Sequence, residues 1–167
     1  AADYRSGRLF DMERLGRECA KRSIPIGLDL AHTAGAVPHQ LHDWGIDCAT
    51  WCTYKYLNGG PGSVGALFVH RRHHGVTPGL AGWWGHDKSS QFDMAPVFSP
   101  AMSAGAWQVG TPSVLGAASL YGSLAVANEA GIDRVRAKSL ALTGLLLDLV
   151  DARLSSLGFS SPTPRDP

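Results

Sequence analysis

An α/β fold, a mostly parallel sheet with flanking helices, is what this sequence predicts, and three observations carry the prediction. Residues 24–30, 46–52 and 63–70 are short apolar runs of strand length, and the first of them is continuous rather than alternating, as a parallel sheet requires. Helical spacing of apolar residues appears on either side of these runs, and strand, helix and strand in that order imply βαβ units. A hydrophobic content of 44% with 17% charged residues, in 167 residues, provides the core of one domain rather than a disordered chain.

Each element has a local reason. Residues 3–10 read as a loop with Ser6 and Gly7 at its turn, followed by a helix over 11–23 that Asp11 caps and the approach of Pro25 ends. After the strand at 24–30, residues 41–45 form a short helix or turn closed by Gly45. The strand at 46–52 delivers Tyr54 and Lys55 to its end. Val64, Ala66, Leu67, Phe68 and Val69 make the strand at 63–70. The spacing from Lys55 to Ser63 holds a loop but no helix, so these two strands are expected to pair antiparallel. Residues 73–110 are rich in Gly, Pro, Ser and Trp and lack periodicity; irregular stretches of that length are more often functional than not. A helix over 113–130 stops at Gly131, and a longer one over 132–157 stops at Gly158.

Composition excludes several classes. A net charge of +1 gives no electrostatic case for nucleic acid or a membrane surface, and Arg71-Arg72-His73-His74 is a basic run of turn length. No apolar stretch reaches bilayer-spanning length and no signal-peptide pattern opens the chain, so the cytoplasm is the expected compartment. Cys19, Cys48 and Cys52 lack the spacing of a zinc site, no other metal set is expected, and their odd number argues against a disulfide framework. Gly59 to Gly62 lack the Lys-Ser/Thr ending of a phosphate-cradling loop.

The chemistry concentrates in Trp-Cys-Thr-Tyr-Lys-Tyr-Leu-Asn-Gly-Gly-Pro-Gly, residues 51–62. Lys55 stands at the mouth of a strand, between two tyrosines and against a turn too rich in Gly and Pro for any regular element. Partial desolvation there favours the neutral form of an amine, which a Schiff-base lysine needs. Most lysines are instead solvated surface charges. Asp29 ends the strand at 24–30, where open α/β sheets place ligand-binding groups, although an acid before Thr33-Ala34-Gly35 also reads as a cap. His32 follows three residues later.

Asp-Leu-Ala-His, His-Asp-Trp-Gly-Ile-Asp, the segment around Lys55 and Gly-Trp-Trp-Gly-His occur in an order that closely resembles the kynureninases. These are pyridoxal-phosphate (PLP) enzymes of the aspartate-aminotransferase fold group, and the likeness runs from about Tyr4 to the last residues. It implies that the chain is a fragment of a fold-type I PLP enzyme: residues 1–131 the C-terminal part of the PLP-binding large domain, and 132–167 the linking helix and the start of a small domain. It implies hydrolytic cleavage of the Cβ–Cγ bond of L-kynurenine, and of 3-hydroxykynurenine in some members, to anthranilate and L-alanine, within tryptophan catabolism and NAD biosynthesis.

The resemblance also assigns roles. Lys55 would carry the cofactor and move the Cα proton, Asp29 would hold the proton on the pyridine nitrogen, and His32 would contact the ring or its phenolic oxygen. Tyr54 would contact the phosphate, with proton donation during cleavage as a second role. Trp83 would point its indole N–H at the phosphate, and Thr111 would bind phosphate near the substrate's aromatic ring, often across a homodimer interface. Tyr56 and Trp84 read as packing. Threonine after glycine at 110–111 looks like the bacterial members, which favour kynurenine over its 3-hydroxy form. A start at Ala1 without methionine and an end in Thr-Pro-Arg-Asp-Pro without a closing element lead to the expectation of an internal piece. Two other readings remain open at this point. Another class-V PLP enzyme would share Asp29 and Lys55, although a desulfurase needs a nucleophilic cysteine downstream and none follows Cys52; a non-catalytic fragment would bind no PLP.

Overall fold

The computed structural model describes residues 1–166; Pro167, the last residue of the expected 132–167 segment, lies outside them. Helix α1 (Met12–Lys21) starts where expected, with the Asp11 carboxylate accepting from the Arg14 N–H at 2.9 Å. It buries Met12 and Gly16, one turn apart, against the sheet. Gly16 is required: a Cβ there would lie 2.1 Å from the Trp44 carbonyl oxygen. Glu13–Arg17, Glu18–Lys21 and Glu18–Arg22 pair on the opposite, solvated face, where water screens them.

The strands are β1 (Gly27–Asp29), β2 (Cys48–Cys52) and β3 (Gly65–Val69), forming among the described residues one sheet of order β1-β2-β3. β1 and β2 run parallel with Asp29 opposite Thr50, and β2 and β3 run antiparallel with Thr50 opposite Leu67. The antiparallel partner was expected from the short connection. The strands are shorter than their apolar runs because the flanking groups bond elsewhere. Ile24 N–H caps α1 at the Cys19 carbonyl, Ile26 N–H donates to Asp47 Oδ2 at 2.8 Å, and Val64 N–H donates to Gly116 O.

Two expectations require correction. The crossover between parallel β1 and β2 contains no helix, so the expected βαβ unit is absent there; Gly35 at φ +87° and Pro38 break residues 30–47 into successive turns. The sheet is also packed fully on one face and only in part, by residues 104–108, on the other. Leu28, Ala49, Trp51 and Phe68 pack with Met12, Leu9, Leu41 and Trp44, around a centre in which Leu30 and Ala49 are fully buried. On the other face Gly27, Asp29, Cys48, Thr50 and Leu67 are exposed. Full burial of Leu30 and of Ile46 contributes roughly 1.5–3 kcal/mol each.

Helix α2 (Val114–Ala130) is capped by Ser113, whose hydroxyl accepts from Gly116 N–H at 3.2 Å, and helix α3 (Ile132–Leu154) follows after the single residue Gly131 at φ +76°. Only glycine adopts that angle without strain. Arg165 folds back onto α3, pairing with Asp148 at 2.5 Å and with Asp151.

The end of the sheet remote from Lys55 is tied by Asp47. Its carboxylate accepts from Ile26 N–H, from Arg72 at 2.6 Å and meets His73 Nε2 at 2.5 Å. Partial burial pushes its pKa up, but His73, the Ile26 N–H and Arg72 outweigh burial and hold it at about 2 against the usual 3.8. A depressed carboxylate pKa contributes stability that is complete above 3.8 and disappears as pH falls through about 2. Asp47→Asn is therefore expected to lower unfolding stability at pH 7 by roughly 1–3 kcal/mol, and to flatten the acid limb between about pH 4 and pH 2; urea titrations across that range check both.

Candidate functional site

Two strand ends and two turns carry the candidate residues. Asp29 ends β1 on the open face of the sheet, beside Thr50 of β2. Its Oδ1 accepts from Ala31 N–H at 2.8 Å, closing a turn that starts the crossover; among the described residues Oδ2 has no hydrogen-bond partner. That oxygen is available to a donor from a ligand. The same turn carries His32, while Thr33 and Ala34 behind it are buried.

Lys55 lies past the end of β2, and its Nζ is 3.1 Å from His32 Nε2. An ammonium only donates, so when Lys55 is charged Nε2 must present its lone pair; when the amine is neutral, Nε2 can carry the proton instead. The contact ties the end of β2 to the turn after β1. It persists because Gly35 lies so close to the main chain of Tyr56 that a Cβ would come within 2.9 Å of its carbonyl carbon, locking the His32 turn onto the Lys55 loop. Tyr54 is 55% exposed, with its ring centroid 5.9 Å from Lys55 Nζ. Tyr56, read as packing, is half exposed and borders a cleft together with His32.

Trp83 begins a single 3-10 turn (Trp83–Gly85), stacks edge-on against Phe92 at 5.5 Å, and is 47% exposed. Gln91 fixes the turn by donating to Trp83 O at 3.1 Å and accepting from Lys88, whose ammonium lies 4.4 Å over the Trp84 ring. His86 behind it has a defined tautomer: Nδ1 accepts from Ser99 N–H at 3.3 Å, so Nε2–H donates to Ser90 Oγ. The turn presses onto residues 106–109, where a Cβ on Gly82 would lie 2.1 Å from Val109 O and one on Gly85 2.3 Å from Ala106 O. This brings Trp83 alongside the segment that carries Thr111, which is exposed just before α2.

The structure therefore joins Lys55 with His32, and the Trp83 turn with the approach to Thr111, while Asp29 borders a separate opening. That opening is a cleft of about 630 Å³ lined by Asp29, Thr50, Cys52, Leu67, Trp107 and Gln108, a size within the range for small ligands. Lys55, Trp83 and Thr111 are not among its lining residues. Residues 104–108 connect the two regions, forming the cleft wall at one end and leading into Val109 and Thr111 at the other. Thr50, Cys52 and Gln108 were missed in the sequence. The period-2 alternation of β2 places Thr50 and Cys52 on the face of Asp29 once the parallel register is known; no local signal marks Gln108. No group of three or more potential metal-ligating side chains occurs among the described residues.

Comparison with known proteins adds the wider context. The family model for aminotransferase class-V matches residues 3–165. The chain is similar to the kynureninase of Geobacillus thermodenitrificans, 52% identical over 163 residues, covering 98% of this chain and 38% of that protein. It is similarly related to the kynureninase of Shouchella clausii, at 53% over 163 residues with the same coverage. The chain thus spans about 38% of the length of these relatives. Among solved structures it resembles a cysteine desulfurase from Thermococcus onnurineus, with a TM-score of 0.72, 19% identity, and coverage of 90% of this chain and 37% of that one. A cysteine desulfurase from Escherichia coli gives a TM-score of 0.70 at 22% identity, covering 91% and 37%. At these identities the structural likeness establishes the fold.

The close approach at Gly82 yields a direct expectation. Gly82→Ala is expected to destabilise the chain by roughly 1–3 kcal/mol because the obstacle is main chain and cannot rotate away, whereas Gly79→Ala, with open space around it, changes stability by less than about 1 kcal/mol. Paired chemical denaturation curves measure the contrast.

Proposed function

Since the chain belongs to the aminotransferase class-V family, we propose that its candidate site holds pyridoxal 5'-phosphate and serves the hydrolytic cleavage of L-kynurenine to anthranilate and L-alanine. The observation that carries this reading is the amine of Lys55 held at 3.1 Å from His32, three residues after a carboxylate that keeps one oxygen free. Identity near 50% to kynureninases across almost the whole chain supports it. The donor types fit the cofactor, an acceptor for a ring N–H, an amine for an aldehyde, and indole and hydroxyl donors for a phosphate, while the cleft beside Asp29 is lined by none of Lys55, Trp83 and Thr111. Residues 1–131 would belong to the large cofactor-binding domain and 132–167 to the link toward a small domain, with Gly131 as the joint.

Bound PLP supplies the electron sink for the bonds broken at the substrate's Cα and Cβ. Asp29 Oδ2 would accept from the ring N–H and hold the proton at that nitrogen, because a neighbouring carboxylate favours the charged ring. Lys55 would tether the cofactor through Nζ and, as a free amine, would take the proton from the substrate's Cα. His32 steadies that amine between these tasks. Tyr54, Trp83 and Thr111 would donate toward the phosphate, and Tyr54, its ring centroid 5.9 Å from Lys55 Nζ, would give a proton as the Cβ–Cγ bond breaks. Water adds to the side-chain carbonyl, so the aromatic fragment leaves as a carboxylate. Thr111 after Gly110 favours kynurenine over its 3-hydroxy form. We assign the protein to the cytoplasm on its three free cysteines, and to a homodimer with the site at the interface on the apolar side chains that α2 and α3 expose, among them Leu115, Tyr121 and Leu146.

Lys55→Ala is expected to abolish PLP attachment that borohydride can trap; undiminished trapping in the variant would remove Lys55 from its role. Asp29→Asn is expected to lower kcat by at least about a hundredfold while cofactor is still taken up, as steady-state kinetics at saturating PLP will measure. For Thr111→Asn the ratio of kcat/KM values should move toward 3-hydroxykynurenine, and an unchanged ratio counts against the specificity assignment.

A further inference from the structure

We propose that Thr53 is a positioning residue for Lys55, acting through a buried hydroxyl knot that closes the lysine loop; this rests on the function proposed above. Thr53 is 2% exposed and lies two residues before Lys55, where a polar side chain needs a reason to be buried. Its Oγ1 contacts Val64 O and lies 2.9 Å from Ser63 Oγ. A carbonyl only accepts and a threonine hydroxyl has one proton, so Thr53 donates to Val64 O and receives the proton of Ser63. Both lone donors and acceptors at the two ends of the loop are thereby satisfied by one another.

The main chain repeats the closure. Thr53 O accepts from Gly59 N–H at 2.9 Å, Lys55 O accepts from Asn58 N–H at 3.0 Å, and Asn58 takes a positive φ of 54° to make that turn. Helix α2 then presses on the closed loop: a Cβ on Gly59 would lie 2.7 Å from Leu120 Cδ2, and one on Gly116 would lie 2.9 Å from Gly62 O. Tyr54 and Lys55 are the residues held between these fixed points, and they extend outward while Thr53 points in. A side chain buried beneath the loop thus fixes the base of the lysine, and an amine displaced by an ångström loses attack geometry.

The test uses the holoprotein, stripped of cofactor and recharged with PLP, with borohydride quenching at intervals and mass analysis of the peptide bearing Lys55. Thr53→Val, which keeps the shape and removes the hydroxyl, is expected to slow attachment and lower kcat by about tenfold each, with KM for L-kynurenine within about twofold. Thr53→Ser is expected to restore both to within about threefold of wild type. A residue that merely supports the fold would lower the melting temperature and leave the attachment rate of the folded protein untouched. If Thr53→Val does not fold, Ser63→Ala carries the test: it keeps the bond to Val64 O, should slow attachment by about threefold, and overturns the proposal if the rate is unchanged. Attachment at Lys55 with equal rates in wild type and Thr53→Val overturns this inference alone; attachment at a different lysine in wild type overturns the proposed function.

Discussion

The parallel register of β1 and β2 is the constraint from which the rest of the site follows. With Asp29 opposite Thr50, the chain leaves both strands at the same end of the sheet, β1 three residues before His32 and β2 three residues before Lys55. Side-chain period fixes the outcome: a slip of one residue would turn Asp29 into the core and carry Leu28 to the open face. Leu28, Ala49 and Phe68, packed on Met12 and Trp44, hold the register, and Asp47 pins the far end through Ile26. Hydrophobic burial at one end of a short strand thus determines where polar groups meet at the other.

Glycine does the complementary work in the loops. Gly35 lets the His32 turn lie against Tyr56, Gly59 and Gly116 let α2 lie against the lysine loop, and Gly82 and Gly85 let the Trp83 turn lie against residues 106–109. Each approach is main chain against main chain or against a helix side chain, at separations a Cβ would forbid. The long irregular stretch after β3 is therefore ordered by these close approaches together with short 3-10 turns and the Asp87–Ser99 and Ala101–Gly85 main-chain bonds.

Much of this was legible in the sequence, for physical reasons that can be named. Helix α1 began at its expected cap because Asp11 offers an acceptor to Arg14 N–H, and α2 ended at the glycine that alone tolerates the required φ. The antiparallel partner of β2 followed from a connection too short for a crossover. Strand length was not legible, because Cys19, Asp47 and Gly116 take backbone N–H groups from the ladder, the last two across long stretches of sequence. The missing crossover helix lost to Gly35 and Pro38, whose turn chemistry overrode the expected alternation. At the site, Lys55 and His32 were chosen from their motif and are in contact, whereas the cleft of Asp29, with Thr50 and Gln108, depends on a register and a fold-back that no local pattern encodes.

The joint at Gly131 has a mechanical meaning. A helix of 23 residues, at about 1.5 Å per residue, is about 35 Å long. Since a single residue without a side chain separates it from α2, two torsions act as the fulcrum of a lever: a turn of about 10° there sweeps the far end of α3 through about 6 Å. The direction in which α3 leaves α2 is thus written in the angles of one glycine.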